Sequence, residues 1–472
     1  MAANAAREAA ALSRALDALG GVVSAEEAHR LVMVLGLLRH HAESSRSDDL
    51  PDRSYRTYAW DRLLSSAMGG DRLYDVIGDG VRDWEADSGR RLEQRVPDLR
   101  AVRPAQLHEV LDAVTLVRSP VRLFDLVLQA QSRDAKGGQY FTPRDVTRLM
   151  VELLDPRAGE SVYDPACGSG GLLVESAAYV AAHGGKAEDL GLYGQDVSAS
   201  VLDTAAMNMG VRDLEARLAG PESSLLRDGF PEQTFDVVAV NPPFNQSRWD
   251  YGHGRYDGLW PLGVPPQGNA NFAWVQHCLK KLAPGGRAAI LLPTGAATGT
   301  RGAERDVRAR LVDAGLLAAV VELPAGLIPH VRNPVCLWIL SSFRGAGPLK
   351  ERGEVLLVDA REGALTVDKR QRVLPDEVVE RISDTFASWR GRSGAPRYAD
   401  RPGWCRSVRV EELAEQAEYD VLPSRHVPAP ATRGEEESDG LGRLAELTAE
   451  LVRHFEDSRR LERELLDLLG NR

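Results

Sequence analysis

Between residues 131 and 345 short β-rich runs alternate with stretches of helical spacing, and few folds accommodate that order. The predicted strands are Ser161-Val162-Tyr163, Phe235 to Val240, Ala288 to Leu292, Ala318 to Leu323 and Val335 to Leu340. Between and around them Gly171 to Ala182, Val201 to Met209, Phe272 to Leu282 and Glu304 to Asp313 are predicted helices. Strands alternating with helices imply an α/β fold, a parallel sheet covered on both faces.

The flanks differ in character. Residues 1–130 read as a helical N-terminal domain. There Leu31 to Leu38 opens an apolar segment, and Leu107, Val110, Leu111, Val114 and Leu116 form a helical stripe after Pro104. Whether this is a plain helical domain or a contact surface stays open. Residues 131–345 form the central domain and 346–427 a mixed C-terminal extension, with a further predicted strand from Glu354 to Val358. Residues 428–440 hold prolines, glycines and the acidic run Glu435-Glu436-Glu437, which suits a linker. In 441–472 a seven-residue pattern places Leu444, Leu451, Ser458 and Leu465 in one row and Leu447, His454, Leu461 and Leu468 in another. That is an amphipathic helix, packed either on a partner or back on its own chain.

Composition narrows the function class. With 472 residues, 43% hydrophobic and 27% charged, the chain has material for two to four globular domains at about 100–200 residues each. No apolar run reaches ~20 residues, so no membrane helix is expected, and Met1 to Ala10 lacks the apolar core of a signal peptide. Cys167, Cys278, Cys336 and Cys405 are far apart and show no metal-binding spacing, which suggests a reducing cytoplasm, no disulfide framework and no metal. A net charge of −11 argues against a free-standing, charge-driven nucleic-acid binder, because duplex affinity rests largely on neutralising phosphates. A local basic surface or a basic partner could still supply that charge.

Three segments carry chemistry. Asp164-Pro165-Ala166-Cys167-Gly168-Ser169-Gly170-Gly171 lies between a predicted strand and a predicted helix. Its glycines allow a sharp turn and close approach of a ligand, at the place where doubly wound folds bind nucleotides. About one βα unit later, Leu192-Tyr193-Gly194-Gln195-Asp196 ends in an acid suited to ribose hydroxyls. The third segment is the most specific. The apolar run Phe235 to Val240 leads into Asn241-Pro242-Pro243-Phe244. Prolines fix the backbone and leave carbonyls outside the ladder. The Asn241 oxygen and the Pro242 carbonyl can then accept both hydrogens of one amino group. Two acceptors favour a pyramidal nitrogen, whose lone pair is otherwise delocalised into the ring. Phe244 is placed to stack on a planar substrate.

Asn-Pro-Pro-Phe after such a strand resembles the catalytic motif of amino-group methyltransferases, above all the DNA adenine-N6 class, and the glycine segment resembles their S-adenosylmethionine loop. Gly138-Gln139-Tyr140-Phe141-Thr142-Pro143-Arg144 is similar to a signature of type I restriction-modification methylation subunits. The resemblance implies that Gln139, Tyr140, Phe141, Thr142 and Pro143 hold the methionine part of the cofactor. It implies the same of Asp164, Ala166, Gly168, Ser169, Gly170, Gly171 and Asp196 toward the cofactor as a whole. Asn241, Pro242, Pro243 and Phe244 become the catalytic set. Locally, Thr142 also suits a helix cap with Pro143 in the first turn. Met207-Asn208-Met209, Asn269 to Trp274, Leu282 to Arg287 and Tyr419 to Val427 extend the likeness over most of the chain.

The implied fold is a Rossmann-like S-adenosylmethionine-dependent methyltransferase core with a helical N-terminal domain and a C-terminal helical tail. The implied partners are double-stranded DNA, a specificity subunit and, in a restriction-competent assembly, a nuclease subunit. Two departures stand out. His330 to Val335 replaces a Thr-Gly-Ile-Pro-Thr-like run, and Gly220-Pro221-Glu222-Ser223-Ser224-Leu225 lacks the usual Asp-containing turn, which leaves the contact to the cofactor's adenine unassigned. Methylation of a protein glutamine or an RNA base, and a non-catalytic cofactor-binding subunit, are the alternative functions.

Overall fold

Among the described residues nine strands form one mixed sheet: β1 (Ser161–Asp164), β2 (Gly191–Gln195), β3 (Ala216–Ala219), β4 (Phe235–Val240), β5 (Leu282–Pro293), β6 (Leu317–Leu323), β7 (Val335–Ser341), β8 (Glu354–Asp359) and β11 (Cys405–Arg409). Their spatial order is β11-β8-β6-β7-β5-β4-β1-β2-β3, and β9 (Leu365–Asp368) and β10 (Gln371–Val373) pair separately. The computed structural model describes residues 2–47, 60–64, 70–93, 99, 102–134, 142–249, 260–299, 302–329, 331, 333–342, 353–368 and 371–430. Gly138, Gln139, Tyr140 and Phe141 lie outside the described residues, as do 431–472 with the predicted tail helix. The chain divides after Val427, with Met1–Val427 as one unit and Pro428–Arg472 as another.

The predicted strands are present, but the sheet is not wholly parallel. β1, β2, β3, β4 and β5 run parallel, as do β6 and β8. β7 is antiparallel to both β5 and β6, and β11 is antiparallel to β8. The reason lies in the connection. A parallel crossover needs a long, usually helical link, whereas 324–334 carries no helix among its described residues, so β7 folds straight back on β6.

Alternation along the strands sorts side chains between two cores. Val237 and Ala239 of β4, with Leu291 and Leu337, face helices Arg144–Leu154, Gly171–Ala182 and Asp376–Arg390. Val238 and Val240, with Ile290 and Trp338, face helices Asn271–Lys281 and Gly302–Asp313. Helix Arg144–Leu154 shows why it docks: Val146, Leu149, Met150, Leu153 and Leu154 are buried at three- and four-residue spacing. Both clusters take residues from β8, and the second takes Val408 of β11, so the sheet runs on into residues of the predicted C-terminal extension.

A third core lies among helices Ala2–Leu19, Ala25–Ser47, Gly70–Ser88, Pro104–Leu116 and Pro120–Asp134. Helix Ala199–Gly210 is shared: Ala206 and Met207 enter this helical core, while Met209 enters the sheet core. The four cysteines are free and buried. Among the described residues no helix is long and apolar enough to cross a membrane.

Arg287 at the start of the regular part of β5 joins sheet to helix. Its guanidinium meets both Glu160 oxygens, at 2.9 and 2.8 Å, and donates to the carbonyls of Asp155, at 2.6 Å, and Leu154. Those carbonyls end helix Arg144–Leu154 and have no intrahelical donor. Arg287→Met should lower unfolding stability by about 2–3 kcal/mol, the worth of a hydrogen-bonded charge. A shift in the urea midpoint equivalent to under about 0.5 kcal/mol, ordinary for a surface substitution, would contradict this role.

Candidate active site

The glycine segment is tied down by both neighbouring strand ends. Asp164, buried at the end of β1, accepts the Ala166 N–H through Oδ1 at 3.0 Å. The Cys167 N–H donates to the Gln195 carbonyl of β2 at 2.9 Å, and the Gly168 N–H to Asp196 Oδ2 at 3.0 Å. Gly168 and Gly170 have φ of 54° and 78°, which L side chains rarely adopt. At Gly170 a Cβ would also lie 2.6 Å from Met209 Cε. Helix Gly171–Ala182 follows at once. Cys167 is buried packing in the turn, its thiol pushed well above the usual range by burial.

Asp196 is held by its own neighbours. Oδ1 accepts the Ser198 N–H at 3.0 Å, and its backbone carbonyl accepts the Glu222 N–H at 3.2 Å. Burial raises the Asp196 pKa, against the backbone donors that lower it. Asp164 is raised well above the carboxylate range, chiefly by burial and further by the Asp196 charge. Two desolvated acids beside one loop favour a ligand that brings hydroxyl donors or positive charge.

At the end of β4, Asn241 is 7% exposed. Its Nδ2 donates to Thr142 Oγ1 at 2.9 Å. Its Oδ1 is buried and has no hydrogen-bond partner among the described residues. Buried acceptors are almost always paired, so this oxygen is one that a ligand can satisfy. The Thr142 hydroxyl is not a helix cap. Pro143, which has no side-chain acceptor, occupies the cap position of helix Arg144–Leu154, and the Thr142 side chain is engaged with Asn241 instead.

The loop beyond is pinned to the next helix by asparagines. Asn271 Oδ1 accepts the Asn245 N–H at 3.1 Å. Asn271 Nδ2 and Asn269 Nδ2 donate to Asn245 Oδ1 at 3.0 and 3.3 Å. Asn245 itself has φ 53°, a conformation asparagine tolerates better than most residues. Asn269 to Trp274 thus fixes the exit from Pro242-Pro243-Phe244.

Two cavities flank the glycine loop. One, about 260 Å³, is bounded by Asp196, Val197, Ser223, Ser224, Pro243 and Trp274. The other, about 430 Å³, is bounded by Thr142, Arg144, Asp164 and Gly171. Ala166, Gly168, Ser169 and Asn241 line both. Pro143, Gly170, Pro242 and Phe244 line neither. Phe244 is half-buried against the sheet core.

Sequence reasoning missed Ser223, Ser224, Val197 and Trp274. Ser224 lies in the segment that departed from the expected pattern, and its hydroxyl donates to the Pro165 carbonyl. Val197, 67% exposed beside Asp196, had a local signal in its position directly after the acid. Asn208 is placed by the fold, its Nδ2 donating to the Ser169 carbonyl at 2.8 Å.

The family model described as N-6 DNA Methylase matches residues 123–435. The methylase subunit of type I restriction enzyme HindI from Haemophilus influenzae is 33% identical over 345 residues, 72% of this chain and 75% of that protein. The MjaIX methylase subunit from Methanocaldococcus jannaschii is 31% identical over 437 residues, 87% of this chain and 76% of its own. Among solved structures, the type I restriction-modification system methyltransferase subunit from Streptococcus thermophilus has the same fold. It superposes with a TM-score of 0.67 at 18% identity, covering 90% of this chain and 99% of that one. A family match over more than half of the chain and two relatives above 30% identity place it plainly: the chain belongs to the N-6 DNA methylase family.

Proposed function

We propose that this chain is a site-specific DNA adenine-N6 methyltransferase that uses S-adenosylmethionine, and that it acts as the modification subunit of a type I restriction-modification or related DNA-defence assembly. One observation carries the reading. The Asn241 amide donates to Thr142, and its Oδ1 is a buried acceptor without a partner among the described residues, directly before Pro242 and beside the glycine loop.

The target adenine must leave the duplex stack, because its amino group is otherwise out of reach. Asn241 Oδ1 and the Pro242 carbonyl then accept the two amino hydrogens; the family resemblance assigns base stacking to Phe244, whose ring must turn from the sheet core to provide it. Most of the rate comes from positioning, with the reacting atoms held at ~3–3.5 Å. The residues present fit the cofactor. Asp196 accepts from ribose hydroxyls, and the backbone from Ala166 to Gly171 allows close approach. Gln139, Tyr140, Phe141, Thr142 and Pro143 are assigned to the methionine part by the family resemblance. S-adenosylmethionine, when bound, supplies an electrophilic methyl group on a sulfonium.

A specificity subunit reads the DNA in this proposal. The net charge of −11 supports that division, since duplex binding then draws basic surface from a partner. The curated relatives are themselves named as subunits of restriction enzymes. In a restriction-competent assembly a nuclease subunit joins them.

Asn241→Ala should reduce methyl transfer by at least about 100-fold, the scale on which one preorganised hydrogen bond acts in a transition state. Cofactor binding should persist. Tritium incorporation into duplex oligonucleotides by the complete assembly, with calorimetry for the cofactor, measures both, and retained turnover would sink the assignment. Thr142→Val should lower kcat about tenfold by freeing the Asn241 amide, and Thr142→Ser should restore it, given that a bond of this kind is worth roughly 1 kcal/mol. Equal rates for the Val and Ser variants would refute the link. Hydroxyl donors to Asp196 favour its ionised form, so binding lowers its raised pKa and releases protons. Cofactor affinity should therefore weaken as pH falls through that raised value. Asp196→Asn should flatten the profile, and an unchanged slope in calorimetric titrations would count against the role of Asp196.

A further inference from the structure

The N-terminal helices reach the glycine loop through a continuous run of hydrogen bonds. Asn208, 2% exposed near the end of helix Ala199–Gly210, donates from Nδ2 to the Ser169 carbonyl at 2.8 Å. Its Oδ1 accepts from Arg212 Nη1. Arg212 Nη2 donates to Asp125 Oδ1 at 2.6 Å, and Asp125 belongs to helix Pro120–Asp134. Only 13% of the Arg212 side chain is exposed, and its burial in the absence of Asp125 would leave a charge uncompensated.

The same helix is held along its length. Arg30 Nη1 meets Asp203 Oδ2 at 3.3 Å, and the Glu93 N–H donates to Asp203 Oδ1 at 2.8 Å. Ser200 Oγ donates to Glu26 at 2.6 Å. Glu26, Arg30 and Gln131 line the cavity that also contains Asp196 and Asn241. The helical region therefore supplies wall to that cavity and, separately, a polar strut to its loop.

We propose that Asp125 and Arg212 are positioning residues for the cofactor. They act through Asn208 on the Ser169 backbone, so that the helical N-terminal region sets cofactor affinity. This rests on the S-adenosylmethionine reading of the site. Both residues, with Asn208, line the larger cavity beside the glycine loop, and their proposed action runs through Asn208. They restrict a loop with two residues at positive φ, and the ordering cost of that loop is met on folding rather than on binding. By linkage, a ligand of the helical region whose binding is strengthened by the cofactor must strengthen cofactor binding by the same factor.

The test uses the full chain, titrated with S-adenosylmethionine by calorimetry, for Asn208→Ala, Arg212→Lys and Asp125→Asn. Asp125→Asn keeps the shape and an accepting oxygen but removes the charge opposite Arg212, so thermal unfolding of each variant is measured beside Kd to separate lost stability from lost affinity. Asn208→Ala should raise Kd about tenfold and Asp125→Asn about threefold, the loss of one hydrogen bond and the weakening of another. The Asp125→Asn, Arg212→Lys double variant should be no worse than the more severe single one, because both break the same strut. Hydrogen exchange at the Gly168 and Gly170 amides should speed up in the cofactor-free variants. In the complete assembly the cofactor KM should rise while kcat at saturating cofactor stays near wild type. A merely structural role would lower the active fraction and leave KM alone. Wild-type Kd in all three variants, or a fall in kcat with Kd unchanged, overturns the proposal by itself. A wild-type chain that binds no S-adenosylmethionine overturns the cofactor reading and the proposal with it.

Discussion

The hydrogen bond between Asn241 and Thr142 joins positions 99 residues apart, with the Asn241 amide donating. With Nδ2 engaged, the acceptor is left buried at the end of β4. Everything around the bond serves to keep it in place. Helix Arg144–Leu154 packs six apolar residues into the sheet core and carries Thr142 at its entry. On the other side, the Asn245, Asn269 and Asn271 network holds the loop that leaves Phe244.

The parallel arrangement of β1, β2 and β4 supplies the rest of the site. Their carboxyl ends lie on one edge of the sheet, so Asp164, Asp196 and Asn241 meet there although they are dispersed in the sequence. Parallel pairing also leaves the loops at that edge free of ladder duties, and such crevices are where open α/β sheets bind ligands. The consequence is electrostatic as well as spatial. Asp164 and Asp196 are both pushed upward by burial, and Asp196's charge raises Asp164 further. The site is therefore primed for a ligand that relieves desolvated carboxylates.

Legibility in the sequence followed locality. Phe235–Val240 was readable because six consecutive residues with four branched or aromatic side chains admit little else. The helix Gly171–Ala182 was readable because glycines stop where the periodic residues begin. β3 and β11 were not, since Ala216–Ala219 and Cys405–Arg409 are short and interrupted by arginines, with no apolar run. The direction of β7 was also hidden: an apolar strand looks the same parallel or antiparallel, and only the lack of a helical crossover distinguishes them. At the site, Thr142 was read as a local cap because the sequence shows its neighbours and not Asn241.

By itself the sequence determined the parts whose chemistry is local. These are the positive-φ glycine turn, the proline-fixed exit from β4, the acid after β2 and the strand–helix alternation that requires a covered sheet. Tertiary structure alone decided the pairings between distant segments: Thr142 with Asn241, Asn208 with Ser169, Asp125 with Arg212, and Ser223, Ser224 and Trp274 around one cavity. The physical reason is that a side chain's local propensity records what its own backbone tolerates. Which donor meets which acceptor is set by how sheet and helices bury their apolar faces, and that packing sums contacts over the whole chain.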